Sequence, residues 1–121
     1  MLSRRLKSFR YAFNGLFDLI KTQPNVRIHL AAMCLVVAGG VYFDLTPTEW
    51  CVVSLAIGLV LTAEAFNTAL EYLTNLVSPD YNPLAGKTKD VAAAGVLLAA
   101  VGALAVGLII FVPKIWLMIN G

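Results

Sequence analysis

The sequence is poor in charged residues, cysteine and histidine, and each shortage excludes a class of protein. Charged residues make up 13% of the 121 positions, about half of the usual share of roughly 25%, whereas hydrophobic residues make up 60%. A chain this apolar is not intrinsically disordered, and a soluble domain of this size could not cover so much apolar surface. Two cysteines, both inside apolar runs, are too few for a disulfide scaffold. The remaining class is a small integral membrane protein.

Several functional patterns are also missing. His29 is the only histidine, which excludes a metal site built from several histidines, and we interpret it as a structural residue at the membrane interface. No Ser-His-Asp or cysteine-based arrangement can be assembled at one depth. Gly86-Lys87-Thr88 is similar to the end of a P-loop, but Tyr81 stands where that motif requires a glycine. The net charge of +2 does not indicate a nucleic-acid partner. The first residues lack the pattern of a signal peptide.

Long apolar segments predict three membrane-spanning helices, at about residues 27–44, 49–77 and 90–112. The third contains 22 uncharged residues from Val91 to Val112, a helix of about 33 Å against a hydrocarbon core of about 30 Å. No internal repeat is present, so a single domain over residues 1–121 is expected. The sequence therefore predicts an all-α membrane protein.

The connections between the spans carry turn and cap signals. Thr46 or Thr48 is a candidate N-cap of the second span, with Pro47 in its first turn. Residues 78–90 are expected to form a loop, and Asp90 suits the N-terminus of the third span, where an acidic side chain is favoured.

The first 22 residues predict an amphipathic helix over about residues 4–22. Large apolar residues recur there at helical spacing: Leu6, Phe9, Phe13, Leu16, Phe17 and Ile20. Basic residues lie off that stripe: Arg4, Arg5, Lys7, Arg10 and Lys21. A basic amphipathic helix is typical of a segment that lies on a membrane surface. The alternative is a helix whose apolar side packs on a partner.

The distribution of basic residues predicts the topology. Five of the nine lysine and arginine residues precede residue 22, and Lys87 and Lys89 lie in the expected second loop. The first hairpin contains Asp44 and Glu49 but no basic residue. The positive-inside rule therefore places the N-terminus and the second loop in the cytoplasm, in a multi-pass protein of the cytoplasmic membrane. Lys114 is the one basic residue on the other side.

The second span carries carboxylates that an ordinary membrane helix would lack. Glu64, Asn67 and Glu71 are spaced by three and four residues, so they share one face of the helix. Counted from Trp50, Glu64 lies about 21 Å and Glu71 about 32 Å along the helix axis. Glu71 is then at the cytoplasmic interface and Glu64 about two turns inside the hydrocarbon. Intramembrane carboxylates indicate function, and the alternative is a hydrogen-bonded cluster that joins helices.

The expected second loop adds polar residues at the same interface: Asp80, Tyr81, Asn82, Lys87, Lys89 and Asp90. Lysine side chains and the backbone N–H groups of a helix start suit phosphate. Acidic side chains beside them suit a metal ion bound to that phosphate.

At these residues the sequence resembles the small bacterial diacylglycerol kinase and undecaprenol kinase family. The matching stretches cover essentially the whole chain in order: residues 5–16, Asn25-Val-Arg-Ile-His29, Glu64-Ala-Phe-Asn-Thr-Ala-Leu-Glu71, and residues 80–90 followed by Ala-Ala-Ala-Gly. The E-x-x-N-[ST]-A-x-E block with the later A-G-x-x-K-D is specific to this family. The Asn25–His29 stretch is more similar to the undecaprenol kinase branch.

The resemblance implies a homotrimer, each subunit with a surface helix and three spans. It implies ATP-dependent phosphorylation of a lipid alcohol, undecaprenol or diacylglycerol, at the cytoplasmic interface, with Mg²⁺ as cofactor. Glu64 matches the catalytic carboxylate, Asn67 a functionally important asparagine, and Glu71 a metal-binding glutamate. The positions that match nucleotide contacts are Arg4, Tyr11, Asp80, Tyr81, Asn82, Gly86, Lys89 and Asp90.

Gln23 departs from the family pattern, which usually has a second metal-binding glutamate at this position. Glutamine keeps a carbonyl oxygen for the metal but loses the negative charge. We therefore expect Gln23 to bind Mg²⁺ more weakly than glutamate does, unless it only ends the surface helix.

Two other functions are compatible with a buried carboxylate. A small oligomeric ion- or proton-conducting subunit could use Glu64 as its ion site, and a purely structural membrane protein could use the same residues as helix contacts. The conducting subunit does not explain why Glu71, Lys89 and Asp90 converge on one interface, and ATP consumption that requires added lipid alcohol would separate a kinase from both alternatives.

Overall fold

The computed structural model describes all residues 1–121 and consists of four helices without strands. The helices are α1 (Leu2–Thr22), α2 (Pro24–Tyr42), α3 (Pro47–Val77) and α4 (Pro83–Asn120). The last three are long and apolar enough to cross a membrane. The predicted fold class, an all-α membrane protein with a separate N-terminal helix, is confirmed.

The break between α1 and α2 lies at Gln23 and Pro24. Gln23 is extended, with φ −108° and ψ 105°, and it ends α1 and begins α2. Proline disfavours helical geometry in the residue before it, and its missing N–H is tolerated at the first position of a helix. The sequence Gln-Pro therefore separates α1 from α2.

The turn between α2 and α3 is defined by local chemistry. Asp44 has φ 53°, a left-handed conformation that aspartate adopts more readily than most residues. Thr46 caps α3, because its Oγ1 accepts from the backbone N–H of Glu49 while the Glu49 carboxylate accepts from the backbone N–H of Thr46. The predicted Thr46 cap is confirmed. A Cβ on Gly40 would lie 2.5 Å from Cη2 of Trp50, so only glycine permits this close approach.

Helix α4 begins earlier and ends later than the sequence prediction. Asn82 is the N-cap, and its Oδ1 accepts from the backbone N–H of Leu84 at 2.9 Å. The expectation that Asp90 lies at the helix N-terminus is wrong, because Asp90 lies about two turns inside α4. The Asn-Pro pair is a stronger start signal than the acidic residue. The helix also continues through Pro113 to Asn120.

The bundle has two ends that differ in composition. We call the end formed by α1, the start of α2, the end of α3 and the start of α4 the α1 end. The opposite end, with the α2–α3 turn and the last turns of α4, is the hairpin end. There Lys114 Nζ lies 3.2 Å from Glu49 Oε1, and the ring of Phe43 packs edge-on against Phe111. The lone basic residue of this end thus has an acidic partner.

Few residues are buried within the single chain. Eight of 121 residues are buried, and two of them, Glu64 and Thr68, are polar. All six large apolar residues of the α1 stripe are exposed. A membrane helix buries its apolar side chains in lipid or against other helices. The many exposed apolar side chains of the single chain are therefore consistent with a membrane environment.

Candidate active site

Glu64 is the centre of the candidate site. Its side chain is 3% exposed, in the apolar middle of α3, and its Oε1 lies 3.1 Å from Nε2 of His29 on α2. The structure gives the second carboxylate oxygen no side-chain hydrogen bond. Since an unpaired carboxyl group is costly in hydrocarbon, His29 is the side chain that offsets the burial of Glu64.

One turn further along α3, Asn67 and Glu71 form a second pair. Asn67 Nδ2 donates to Glu71 Oε1 at 3.3 Å, and both side chains are partly buried. The carbonyl oxygen of Asn67 is buried without a partner, as is the hydroxyl of Thr68, which is 2% exposed. The three residues predicted to share one face therefore form two adjacent pairs, with unused hydrogen-bonding groups between them.

Helix α1 is joined to α3 beside this site. Tyr72 donates to Asp18 Oδ2 at 2.7 Å, and its hydroxyl lies 3.4 Å from Thr22 Oγ1. Gln23 Nε2 in turn donates to Thr22 Oγ1 at 3.2 Å. Gln23 is thus connected to the residue that follows Glu71, but it makes no hydrogen bond with Glu71 itself.

The start of α4 contributes one further contact. Lys89 Nζ donates to Asn75 Oδ1 on α3 at 2.6 Å. Asn82 uses its side-chain oxygen as the helix cap, and Tyr81 is 91% exposed. The other predicted nucleotide-binding residues lie at the α1 end without side-chain partners: Arg4, Tyr11, Asp80 and Asp90. Gly86 lies in the first turns of α4, with open space where a Cβ would be.

Two grooves open beside the polar side chains. One, of about 620 Å³, lies between α3 and α4, and its apolar wall meets Asn67, Lys87 and Thr88. The other, of about 540 Å³, lies between α1 and α3 and is lined by Thr68 and Tyr72 as well as apolar residues. Each groove therefore combines a long apolar surface with polar groups at the α1 end.

The sequence does not reveal the partners of the candidate residues. His29, interpreted above as a structural residue, contacts Glu64, and no pattern in the sequence indicates the contacts of Asp18, Tyr72 and Asn75. A depth count could have paired His29 with Glu64. His29 lies about 8 Å along α2 from Pro24, and Glu64 lies about 10 Å along α3 from Glu71.

The fold and the site together define a class: a small multi-pass membrane protein with a buried, paired carboxylate near one end of the bundle. Residues 10–111 match the family described as prokaryotic diacylglycerol kinase. The chain belongs to this family. It is therefore an enzyme, a lipid kinase, and the two non-enzymatic alternatives are wrong.

Individual relatives carry two different names. The chain is 38% identical to the undecaprenol kinase of Bacillus subtilis over 114 residues, which cover 94% of this chain and 93% of that protein. It is 39% identical to the diacylglycerol kinase of Synechocystis sp. over 91% of this chain and 63% of that protein. Identity to the diacylglycerol kinase of Escherichia coli K12 is 25%, over 82% and 81% of the two chains.

Proposed function

We propose that this lipid kinase transfers the γ-phosphoryl group of ATP to the hydroxyl of a membrane lipid alcohol at the cytoplasmic face of the membrane. The observation that carries the proposal is the state of Glu64. One carboxylate oxygen is held by His29, while the other has no protein partner. A buried carboxylate with one oxygen free of protein partners, about two turns of helix from Glu71, is suited to accept a proton from a lipid hydroxyl.

The proposed reaction combines one proton transfer with one phosphoryl transfer. The lipid hydroxyl gives its proton to the free oxygen of Glu64 as its own oxygen bonds to the γ-phosphorus of ATP. The bond from that phosphorus to the bridging oxygen breaks, and ADP leaves. Phosphoryl transfer depends chiefly on positioning and charge stabilisation. Asn67 contributes by holding Glu71 and by offering its unpartnered carbonyl oxygen within the site.

The nucleotide is proposed to bind across α1 and the start of α4. Lys89 supplies the positive charge for the phosphates, and its hydrogen bond to Asn75 fixes the end of a long flexible side chain. Arg4, Tyr11, Gly86 and Asp90 are proposed to contact ATP from the two helices. Asp80, Tyr81 and Asn82 do so from the segment before α4, where all three residues are exposed and accessible to a soluble ligand.

The donor set fits Mg²⁺. Glu71 offers a carboxylate, and Gln23 an amide carbonyl. No three histidine, cysteine or acidic side chains lie together. A site with few protein ligands is typical of Mg²⁺ bound together with substrate phosphates. When bound, the ion would neutralise charge on the transferring phosphoryl group.

The two grooves fit the lipid acceptor, because each joins an apolar wall to polar groups at the α1 end. Undecaprenol and diacylglycerol are the two acceptors to compare. The relatives that carry these names are 38% and 39% identical to the chain, so identity does not separate them.

The proposal requires the α1 end to face the cytoplasm, where ATP is available. In a background without Cys34 and Cys51, we expect Lys87→Cys to react with an impermeant thiol reagent only after the cells are opened. Thr46→Cys, at the hairpin end, should react in intact cells. The reverse labelling pattern would contradict the proposed orientation and the access of ATP to the site.

We further propose that the enzyme works as a homotrimer, on the basis of the family resemblance and the large apolar surface that the single chain exposes. Native mass spectrometry of the detergent-solubilised protein should give three times the chain mass of 13.0 kDa. A monomer or dimer that retains full activity would contradict the trimer.

The proposed reaction is tested by purifying the chain in detergent and measuring ADP release with ATP and Mg²⁺. We expect release that requires added undecaprenol or diacylglycerol, with one phosphorylated lipid formed per ADP. A phospholipid without a free hydroxyl is the control and should give no release. ADP release that is independent of the lipid alcohol, or its absence with both acceptors, would contradict the proposal.

A further inference from the structure

The pair formed by His29 and Glu64 is the only direct side-chain hydrogen bond between α2 and α3. It joins a side chain that is 26% exposed to one that is 3% exposed. The ring of His29 also lines a small apolar crevice of about 100 Å³ with Met33, Val36 and Leu61. Because the surroundings are apolar, each of the two side chains depends on the other for its hydrogen bond.

Hydrogen-bond chemistry fixes the roles within the pair. The base of the proposed reaction is the carboxylate form of Glu64, which has no proton to donate, so Nε2 of His29 is the donor and Oε1 of Glu64 the acceptor in that form. This contact favours one orientation of the carboxylate. The second oxygen makes no hydrogen bond with another side chain.

The side of α2 that carries His29 also carries a buried residue. Val26, one turn earlier on α2, is 4% exposed and lines a cavity together with residues of α1 and α3. Residues three apart lie on neighbouring positions of one helix face. The packing of Val26 therefore brings His29 toward α3, where Glu64 lies.

We infer that His29 is the positioning residue for the catalytic base. It donates through Nε2 to one oxygen of Glu64, which orients the carboxylate and leaves its other oxygen for the acceptor hydroxyl. His29 itself touches neither ATP nor lipid. This inference rests on the proposed function, because it gives Glu64 the role of base.

Kinetics of His29 variants test the inference. His29→Leu removes the donor and should lower kcat about 10- to 100-fold, as expected for loss of a hydrogen bond to a charged group. The KM values for ATP and for the lipid should stay within about twofold, since binding does not use His29. His29→Gln keeps a donor at the place of Nε2 and should recover most of kcat. Met33→Leu, in the same crevice, is the matched control and should retain wild-type kcat.

A double variant separates positioning from general structural support. In the Glu64→Gln background, His29→Leu should change the residual rate less than twofold, because its effect passes through the carboxylate. If His29→Leu does not assemble, His29→Asn replaces it. Its shorter side chain falls short of Glu64, so it should lose activity while His29→Gln keeps it.

The inference is overturned if His29→Leu or His29→Asn retains wild-type kcat, or if its effect multiplies with that of Glu64→Gln. It is also overturned if His29→Gln is as inactive as Glu64→Gln, since His29 would then be the base. An inactive wild-type enzyme contradicts the proposed function instead, and an active wild type with unaffected His29 variants contradicts the inference alone.

Discussion

The two ends of the bundle use polar side chains in opposite ways. At the hairpin end, Glu49 Oε1 has two partners, because it completes the cap of α3 and pairs with Lys114. At the α1 end, Glu64 has the single partner His29, and the neighbouring Asn67 and Thr68 carry buried oxygen atoms without partners. Buried polar side-chain atoms without a hydrogen-bond partner therefore occur at the α1 end and not at the hairpin end.

This difference in hydrogen bonding indicates that the hairpin end contributes to stability and the α1 end to function. Buried polar atoms without partners destabilise a fold unless a ligand or a neighbouring molecule supplies the missing hydrogen bonds. They are concentrated at Asn67 and Thr68, beside the grooves and the end of α1. We therefore expect substitutions at the α1 end to affect turnover and those at the hairpin end to affect stability.

The largest effect is expected for Glu64→Gln. Removing the proposed general base should lower lipid phosphorylation about 10²- to 10⁴-fold, with an unchanged oligomeric state by size-exclusion chromatography. Glu49→Gln changes the carboxylate at the hairpin end of α3 in the same way and should retain wild-type turnover. Equal loss of activity in both variants would contradict the expectation that only the α1 end affects turnover.

A smaller effect is expected for Lys89→Met, which keeps the aliphatic stem of the side chain but removes its charge. Loss of a charged contact with phosphate should lower kcat/KM for ATP about 10- to 100-fold. Lys114→Met is the matched control at the hairpin end. It breaks an ion pair at the surface, which contributes little to stability, and should leave kcat/KM unchanged. A similar change in both variants would contradict a nucleotide contact of Lys89.

Gly40→Ala tests the hairpin end directly. The added Cβ would overlap the ring of Trp50, and overpacking of this kind costs about 1–3 kcal/mol. We expect a lower unfolding temperature in detergent and unchanged kcat at a temperature where the protein remains folded. A variant that loses kcat but keeps its unfolding temperature would link Gly40 to catalysis and contradict the comparison.

The smallest effect is expected for Gln23→Glu. The substitution restores a negative charge in the proposed metal site, so the Mg²⁺ concentration for half-maximal activity should fall a few-fold. Gln23→Leu, which removes the carbonyl oxygen, should raise it. If neither substitution changes the Mg²⁺ dependence, Gln23 only ends α1 and is not a metal ligand.

Much of the fold follows from local sequence. Apolar runs and helical spacing predicted all four helices, and Thr46 and Pro47 predicted the start of α3, because caps depend on neighbouring residues. The start of α4 was placed too late because Asp90 was given more weight than the Asn82-Pro83 pair.

The contacts between helices were harder to predict. The pairs of His29 with Glu64 and of Lys89 with Asn75 depend on how each helix is rotated about its axis, which periodicity in long apolar segments does not define. Counting depth could have suggested the first pair. The link between Asp18 and Tyr72 depends on where α1 lies against α3, and the sequence carries no local signal for it.

The most direct test of the account is to locate bound ATP along the chain. Photo-crosslinking with an azido-ATP analogue, followed by mass spectrometry of the modified peptides, should label residues 4–11 or 80–90, with protection by excess ATP. Labelling of residues 42–50 or 112–121 that ATP protects would place the nucleotide at the hairpin end and contradict the account.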